Sequence, residues 1–393
     1  MTREVRLVLI DADRIVLGEL PWFDVPSPWW SDVEPLVSQA KARFGAEIHV
    51  LRLVDVVGGE PAVARSGHVT YEAQLFGRVP TDIRPTQVNI GADHVHRAPW
   101  ARPGGVQAMV EWADAFVDRT GPAEPVKSWN LSCLMRLPTR TGTVWCKAVP
   151  QFFKHEGAIL RLLSGVRPDL VPPVLAFAPG LTLLGHVDGV DQWGAASEIA
   201  IGMVAALVDL QQAVTIDQLR AIGVPDWRSS SLLAAINELC GRQDVRATLA
   251  AEEVIALDRF LVGLPDRFAA LDECGIEATL IHGDFHPGNW RGVPGRLVLL
   301  DWGDSAIGHP LLDMPAFLGR MSAESASTVR ERWIGFLTGS PGRASDLIAP
   351  IAALRQALIY RSFLDDIEPS ERRYHAADVP LWLRQAMTSS GVT

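Results

Sequence analysis

Apolar and polar positions alternate in short runs over the first third of the chain. From about residue 195 they give way to longer helical periods. "VRLVLIDADRIVLGEL" predicts two strands around the turn Asp11-Ala12-Asp13, and "EIHVLRLVDVV" and "GHVTYEAQLFG" predict two more. Between these pairs, "SDVEPLVSQAKARF" reads as a helix, with Ser31 as its cap and Glu34 completing a capping box. A polar stretch over residues 78–105 reads as a linker, and "VQAMVEWADAFVDRTG" as an amphipathic helix ending at Gly121. "SWNLSCLMRLPT" and "TGTVWCKAV" are strand-like and joined by a turn at Thr141-Gly142; the helix "KHEGAILRLL" and the strand "LTLLGHV" follow. "ASEIAIGMVAALVDLQQAV", "SSSLLAAINELC" and "AEEVIALDRFLVGLPDRFAALDEC" are long helical patterns. The expected division is an α+β cap over residues 1–95, an intermediate strand-rich module over 96–190, and a helical module over 191–393.

The size changes this picture little: 393 residues exceed what one core usually holds, so more than one domain is expected. A net charge of −10 argues against nucleic acid or an anionic membrane as partner, because a basic surface is what neutralises phosphates. No window of about 18 purely apolar residues occurs, and the N-terminus interleaves charges with apolar residues, unlike a signal peptide. The scattered Cys133, Cys146, Cys240 and Cys274 read as reduced, mostly buried thiols, which points to the cytoplasm. Trp22, Trp29 and Trp30 read as core or interface residues.

The chemistry gathers late, in "LIHGDFHPGNWRG" and "LVLLDWGDSAIGHPLLDM". A hairpin there would bring Asn289 and Asp301 to one point. An amide oxygen and a carboxylate are hard ligands suited to magnesium, which leaves Asp284 as a base for an attacking hydroxyl. A zinc reading from His282, His286 and His309 is weaker, because Gly283, Pro287 and Gly288 oppose the helix that would align the first two. Phosphoryl transfer also asks for a strand lysine on the nucleotide phosphates and a helix glutamate to orient it. Lys147 in "TVWCKAV" and Glu156 in "KHEGAILRLL" answer that demand.

Together, His282, Gly283, Asp284, Asn289, Asp301, Trp302, Gly308, Pro310 and Asp313 resemble the signature of the aminoglycoside phosphotransferase family. The resemblance covers residues 121–393 and implies a bilobal protein-kinase-like fold, here with an extra N-terminal α+β cap. It implies Asp284 as catalytic base, Asn289 and Asp301 as magnesium ligands, ATP as co-substrate, and His282 and Asp313 as braces of the loop. The backbone of Gly185 and Val187 would read adenine, with Leu184 beside the ring. The loop "KSWNLSCLM" has no glycine, so phosphate contacts would fall to backbone amides or hydroxyls around Asn130 and Ser132.

The N-terminal module and the run "LRQALIYRSFLDDIEPSERRYHAADVPLWLRQA" resemble the actinobacterial glucosamine kinases related to maltokinases. That resemblance implies an amino-sugar acceptor, glucosamine at its 6-hydroxyl, bound by Asp284, His286, Asp304, Gln356, Tyr360, Asp365 and Glu368. Acidic groups would attract a cationic sugar and aromatic faces would stack on it. The bland alternative for Asp365, Asp366 and Glu368 is a salt-bridged surface with Arg355, Arg361, Arg372 or Arg373 as partners. Other functional readings are a maltokinase, an aminoglycoside phosphotransferase, or a nucleotide-binding pseudokinase without turnover. The sequence assigns no oligomeric state.

Overall fold

The computed structural model describes residues 2–293 and 295–391. They fall into two compact units: Met1–Lys154 with Leu175–His186 and Phe363–Ala377, and His155–Val174 with Val187–Ser362 and Asp378–Thr393. The expected cap and most of the intermediate module therefore share one unit, which also takes in a C-terminal segment that sequence reasoning had placed with the helices.

The first unit holds two five-stranded sheets. One has the order β2-β1-β5-β4 with β3 also on β1, built from β1 (Arg3–Ile10), β2 (Val16–Glu19), β3 (Phe23–Val25), β4 (Glu47–Val57) and β5 (His68–Phe76). β1 and β5 run parallel, and the remaining pairs are antiparallel. Their apolar residues meet the helix Glu34–Phe44 in a core of Leu7, Leu9, Leu36, Val50, Leu53 and Tyr71. Trp30 is buried there and donates from Nε1 to the Ser66 carbonyl at 2.8 Å, whereas Trp22 and Trp29 lie partly exposed beneath Arg6 and Arg65.

The second sheet has the order β6-β7-β8-β10-β9, from β6 (Glu124–Trp129), β7 (Ser132–Thr139), β8 (Gly142–Ala148), β9 (Val174–Ala178) and β10 (Leu181–Gly185). In β8, Val144, Cys146 and Ala148 are buried, while Lys147 is half-buried on the other face, opposite Thr182 of β10.

Two expected helix limits shift. The first helix starts at Glu34 behind Val33 with no side-chain cap, so the Ser31 capping box does not form; Pro35 in the first turn suits the start instead. The amphipathic helix runs only over Gly105–Asp114, because the Thr120 amide pairs with the Pro138 carbonyl at 2.9 Å and draws the chain onto the sheet.

The second unit is mainly helical. It carries two small sheets, β11 (Val190–Asp191) with β13 (Trp290–Val293) and β14 (Arg296–Leu299), and β12 (Thr279–Ile281) with β15 (Ala306–Gly308). Phe285, Trp290, Phe317 and Trp333 pack beneath them, with Phe285 stacked on Phe317 at 4.7 Å. The helix Pro341–Asp366 is long and apolar enough to cross a membrane, but 56% of its apolar window is buried in the protein, as in a core helix. All four cysteines are free and buried, and burial pushes the Cys133, Cys146 and Cys240 thiols up to about 12.

Candidate active site

The late motif is held from two directions within the second unit. As β12 ends, the His282 and Gly283 amides donate to the two carboxylate oxygens of Asp313, at 2.8 and 2.7 Å. Burial raises the Asp313 pKa, while the charge of Arg355 and these two amides oppose that rise. From the helix Pro341–Asp366, the buried Arg355 donates to the Gly283 and Asp304 carbonyls at 3.1 and 2.9 Å. Gly283 itself sits at φ +90°, and a Cβ there would fall 2.1 Å from the Asp304 carbonyl oxygen, so only glycine fits. Arg355 had been read as an ion-pair partner for nearby acids; the structure makes it a clamp on two backbone carbonyls.

Asp284 leaves this frame with its side chain 46% exposed. The Asn289 Nδ2 donates to the Asp284 carbonyl at 2.8 Å and to its Oδ2 at 3.2 Å. The amide oxygen of Asn289 is then the atom left to coordinate a cation. In the β13–β14 hairpin Trp290 pairs with Leu299, and the Leu300 amide donates to the Asn289 carbonyl at 2.8 Å. That register brings Asn289 alongside the residue before Asp301. Asp301 is exposed and adopts φ +64°, an uncommon left-handed state that Asp tolerates better than most residues. The donor set of one amide and one carboxylate oxygen fits magnesium, which binds through one or two such groups and completes its shell with phosphates and water.

Electrostatics keep Asp284 ionised. The packed loop around this half-exposed carboxyl would by itself raise it, but His286 and the Asn289 hydrogen bond hold it below the usual carboxylate value. His282 is fully buried and held neutral by that burial: Nε2 donates to the Leu300 carbonyl at 2.9 Å and Nδ1 accepts the Asp284 amide at 3.3 Å. Both ring nitrogens thus bind backbone. His286 places Nε2 3.5 Å from Asp284 and stacks on Trp193 at 4.9 Å. Trp193 went unnoticed in the sequence, where nothing links it to a motif almost a hundred residues later. Its signal is Gly288, where a Cβ would lie 2.0 Å from the indole.

A model of the phosphotransferase enzyme family matches residues 147–347, just over half of the chain. The chain belongs to this family. No curated protein matches it by sequence. Among solved structures, it is similar to a macrolide 2'-phosphotransferase from Brachybacterium faecium, with 16% identity, 70% of this chain and 98% of that one covered, and a TM-score of 0.52. An aminoglycoside phosphotransferase APH(2")-IIia, solved with GDP and kanamycin, shares 13% identity over 73% of this chain and 99% of its own, at a TM-score of 0.53. An ethanolamine kinase from Plasmodium vivax shares 10% identity over 69% and 82%, at a TM-score of 0.50. These likenesses establish the kinase-like fold with its mixed helices and sheets.

For this phosphotransferase, the remaining expected site residues separate by unit. Lys147, Asn130, Ser132, Gly185, Asp365 and Glu368 belong to the first; Glu156, Val187, Asp304, Gln356 and Tyr360 belong to the second with Asp284. The Val187 carbonyl accepts Arg291 Nε at 2.9 Å. Gln356 had been expected to bind the acceptor, but its Nε2 donates to the Gly283 carbonyl at 3.2 Å, which makes it a brace of the catalytic loop. Burial raises the Tyr360 pKa most, the charges of Asp378, Asp284 and Asp304 add to the rise, and Arg320 opposes it.

Two expected roles meet competing partners. The Asn130 amide donates to the Glu371 carbonyl at 3.1 Å and its oxygen pairs with His375 Nε2 at 3.0 Å, so the side chain is committed inside its own unit and not to phosphate. Ser132 Oγ accepts from Trp129 Nε1 at 3.0 Å. Glu368 is 4% exposed and bridges Arg52 and Arg97 at 3.2 and 3.1 Å, neither of them among the partners considered from sequence.

Proposed function

We propose that this phosphotransferase moves the γ-phosphoryl group of ATP onto a hydroxyl of a small amino sugar, glucosamine at its 6-hydroxyl. The reading rests on an excess of negative charge around Tyr360, where the carboxylates Asp378, Asp284 and Asp304 outnumber one opposing cation, Arg320. A negative field of this kind raises the local concentration of a cationic acceptor and orients it. The resemblance of the C-terminal run to glucosamine kinases supports the same acceptor.

In the proposed reaction the Asp284 carboxylate accepts a hydrogen bond from the acceptor hydroxyl and takes its proton as the oxygen attacks phosphorus in line. Asn289 holds Asp284 in place through Nδ2 and, with Asp301, would hold magnesium. When bound, that ion neutralises phosphate charge. Lys147 adds positive charge for the nucleotide phosphates, and the Gly185 and Val187 backbone would read the adenine edge. His286, beside Asp284, borders the acceptor.

ADP release is measured with glucosamine, glucose, maltose and kanamycin. Turnover with glucosamine that vanishes in Asp284→Asn supports the reading. Turnover with kanamycin alone moves the acceptor to a polycation, and turnover with maltose or glucose alone removes the need for an amine.

A further inference from the structure

The Asp284 carboxylate is gripped through one oxygen. Asn289 Nδ2 reaches Oδ2 at 3.2 Å and His286 Nε2 reaches the same atom at 3.5 Å, which leaves Oδ1 to receive the acceptor hydroxyl. The two groups on Oδ2 thus decide how the base presents itself. Asn289 is anchored further, since Nδ2 also donates to the Asp284 carbonyl and its own carbonyl accepts the Leu300 amide. His286 lacks such an anchor: its Nδ1 is buried with no hydrogen-bond partner among the described residues. A working imidazole is usually oriented by a hydrogen bond at its second nitrogen. Here the ring plane must be set in another way.

Trp193 supplies it. Its indole stacks on the His286 ring with centroids 4.9 Å apart and planes 20° from parallel. The backbone fixes where that indole stands. β11 pairs with β13, the strand that leaves the catalytic loop, and just beyond it the Gln192 amide donates to the Trp290 carbonyl at 3.0 Å. The Ala195 amide then closes a turn onto the Gln192 carbonyl at 3.1 Å, with Trp193 inside that turn. Gly288 makes the room, because a Cβ there would lie 2.0 Å from the indole. Burial does not explain the placement: Trp193 is 57% exposed, whereas Trp290 and Trp333 beneath the small sheets are fully buried. A contact of 3.5 Å is at the limit of hydrogen bonding, so a small tilt of the imidazole makes or breaks it. Contacts of this kind tighten when substrate binds, provided that the ring is already aligned.

We propose that His286 and Trp193 are positioning residues of the base: His286 holds Asp284 Oδ2 so that Oδ1 meets the acceptor hydroxyl, and Trp193 sets the plane of the His286 ring by stacking on it. Both roles rest on Asp284 being the base of the proposed reaction, and they hold for whichever sugar is the acceptor. The hydroxyl proton passes to Asp284 Oδ1, and His286 keeps its own. Trp193 acts on turnover through His286 alone.

Turnover is read as ADP release with ATP and glucosamine, or with kanamycin or maltose where the native chain uses one of those instead. His286→Ala and Trp193→Ala should each lower kcat about tenfold or more, with the KM for ATP within about twofold. The double variant separates positioning from mere structure. With no imidazole left to orient, adding Trp193→Ala to His286→Ala should cost less than about a further twofold. Trp193→Phe keeps a ring face and should recover most of the lost kcat. Trp193→Leu keeps bulk against Gly288 without a flat face; it should behave like Trp193→Ala, and it decides the matter if the alanine variant fails to fold. The proposal is overturned by losses that multiply in the double variant, by native turnover in Trp193→Leu, or by a KM for ATP that rises in step with the loss of kcat. Those results leave Asp284 standing as the base, whereas turnover retained in Asp284→Asn removes the base and both positioning roles together.

Discussion

Replacing Asp313 by Asn tests whether the frame around Asp284 supports catalysis. The carboxylate receives the His282 and Gly283 amides at 2.8 and 2.7 Å, immediately before the proposed base. An asparagine oxygen can keep one of them, while its NH₂ faces the other as donor against donor. The orphaned buried amide costs about 1–3 kcal/mol, and the surviving bond loses its charge assistance. Against this, burial opposes the Asp313 charge and raises its pKa, so removing that charge returns part of the loss. The balance is a destabilisation of roughly 1–3 kcal/mol, read as a shift in urea midpoint at constant m-value. Activity should suffer separately. A loop loosened by about 1 Å can cost about a hundredfold in turnover. The expected split is kcat down at least tenfold with the KM for ATP within a factor of two. A variant within 0.5 kcal/mol and twofold in kcat would refute the reasoning.

Gly283→Ala should abolish turnover and lower the melting temperature, because its Cβ meets a backbone oxygen that cannot swing aside. Arg355→Met removes both donors from the Gly283 and Asp304 carbonyls; kcat should fall more than tenfold, and far-UV circular dichroism checks that the helix survives. Burial lowers His49 and His309 from 6.5 to about 4. The unfolded chain therefore binds more protons between these values, and stability contributed by the neutral rings is lost as pH falls from about 6.5 to 4, by up to about 3 kcal/mol for each. His309→Gln should flatten that part of a urea midpoint-against-pH curve, and an unchanged curve would count against the neutral buried ring.

What could be read in the sequence was local. Asn289 and Asp301 flank a hairpin whose apolar alternation is visible in "NWRGVPGRLVLLD", and the Trp290–Leu299 register is the one that pattern requires. Lys147 on a strand of alternating burial was legible for the same reason. Roles decided by distant partners were not. Asn130 is claimed by Glu371 and His375, and Glu368 by Arg52 and Arg97, each from hundreds of positions away. Gln356 and Arg355 turned to the Gly283 carbonyl for a similar reason: helical spacing says which residues share a face, not which backbone oxygens need donors beneath it. The overlong helix after Gly105 failed where strand pairing at Pro138 outweighed helical periodicity.

The central claim is that Asp284 acts on the acceptor hydroxyl and not on the nucleotide. Single-turnover phosphoryl transfer to glucosamine by the native chain and by Asp284→Asn, measured beside ATP binding by calorimetry, tests it most directly. Transfer should fall by at least a thousandfold in Asp284→Asn, with ATP affinity within threefold. Transfer retained within tenfold, or ATP affinity lost in parallel with it, would contradict the account.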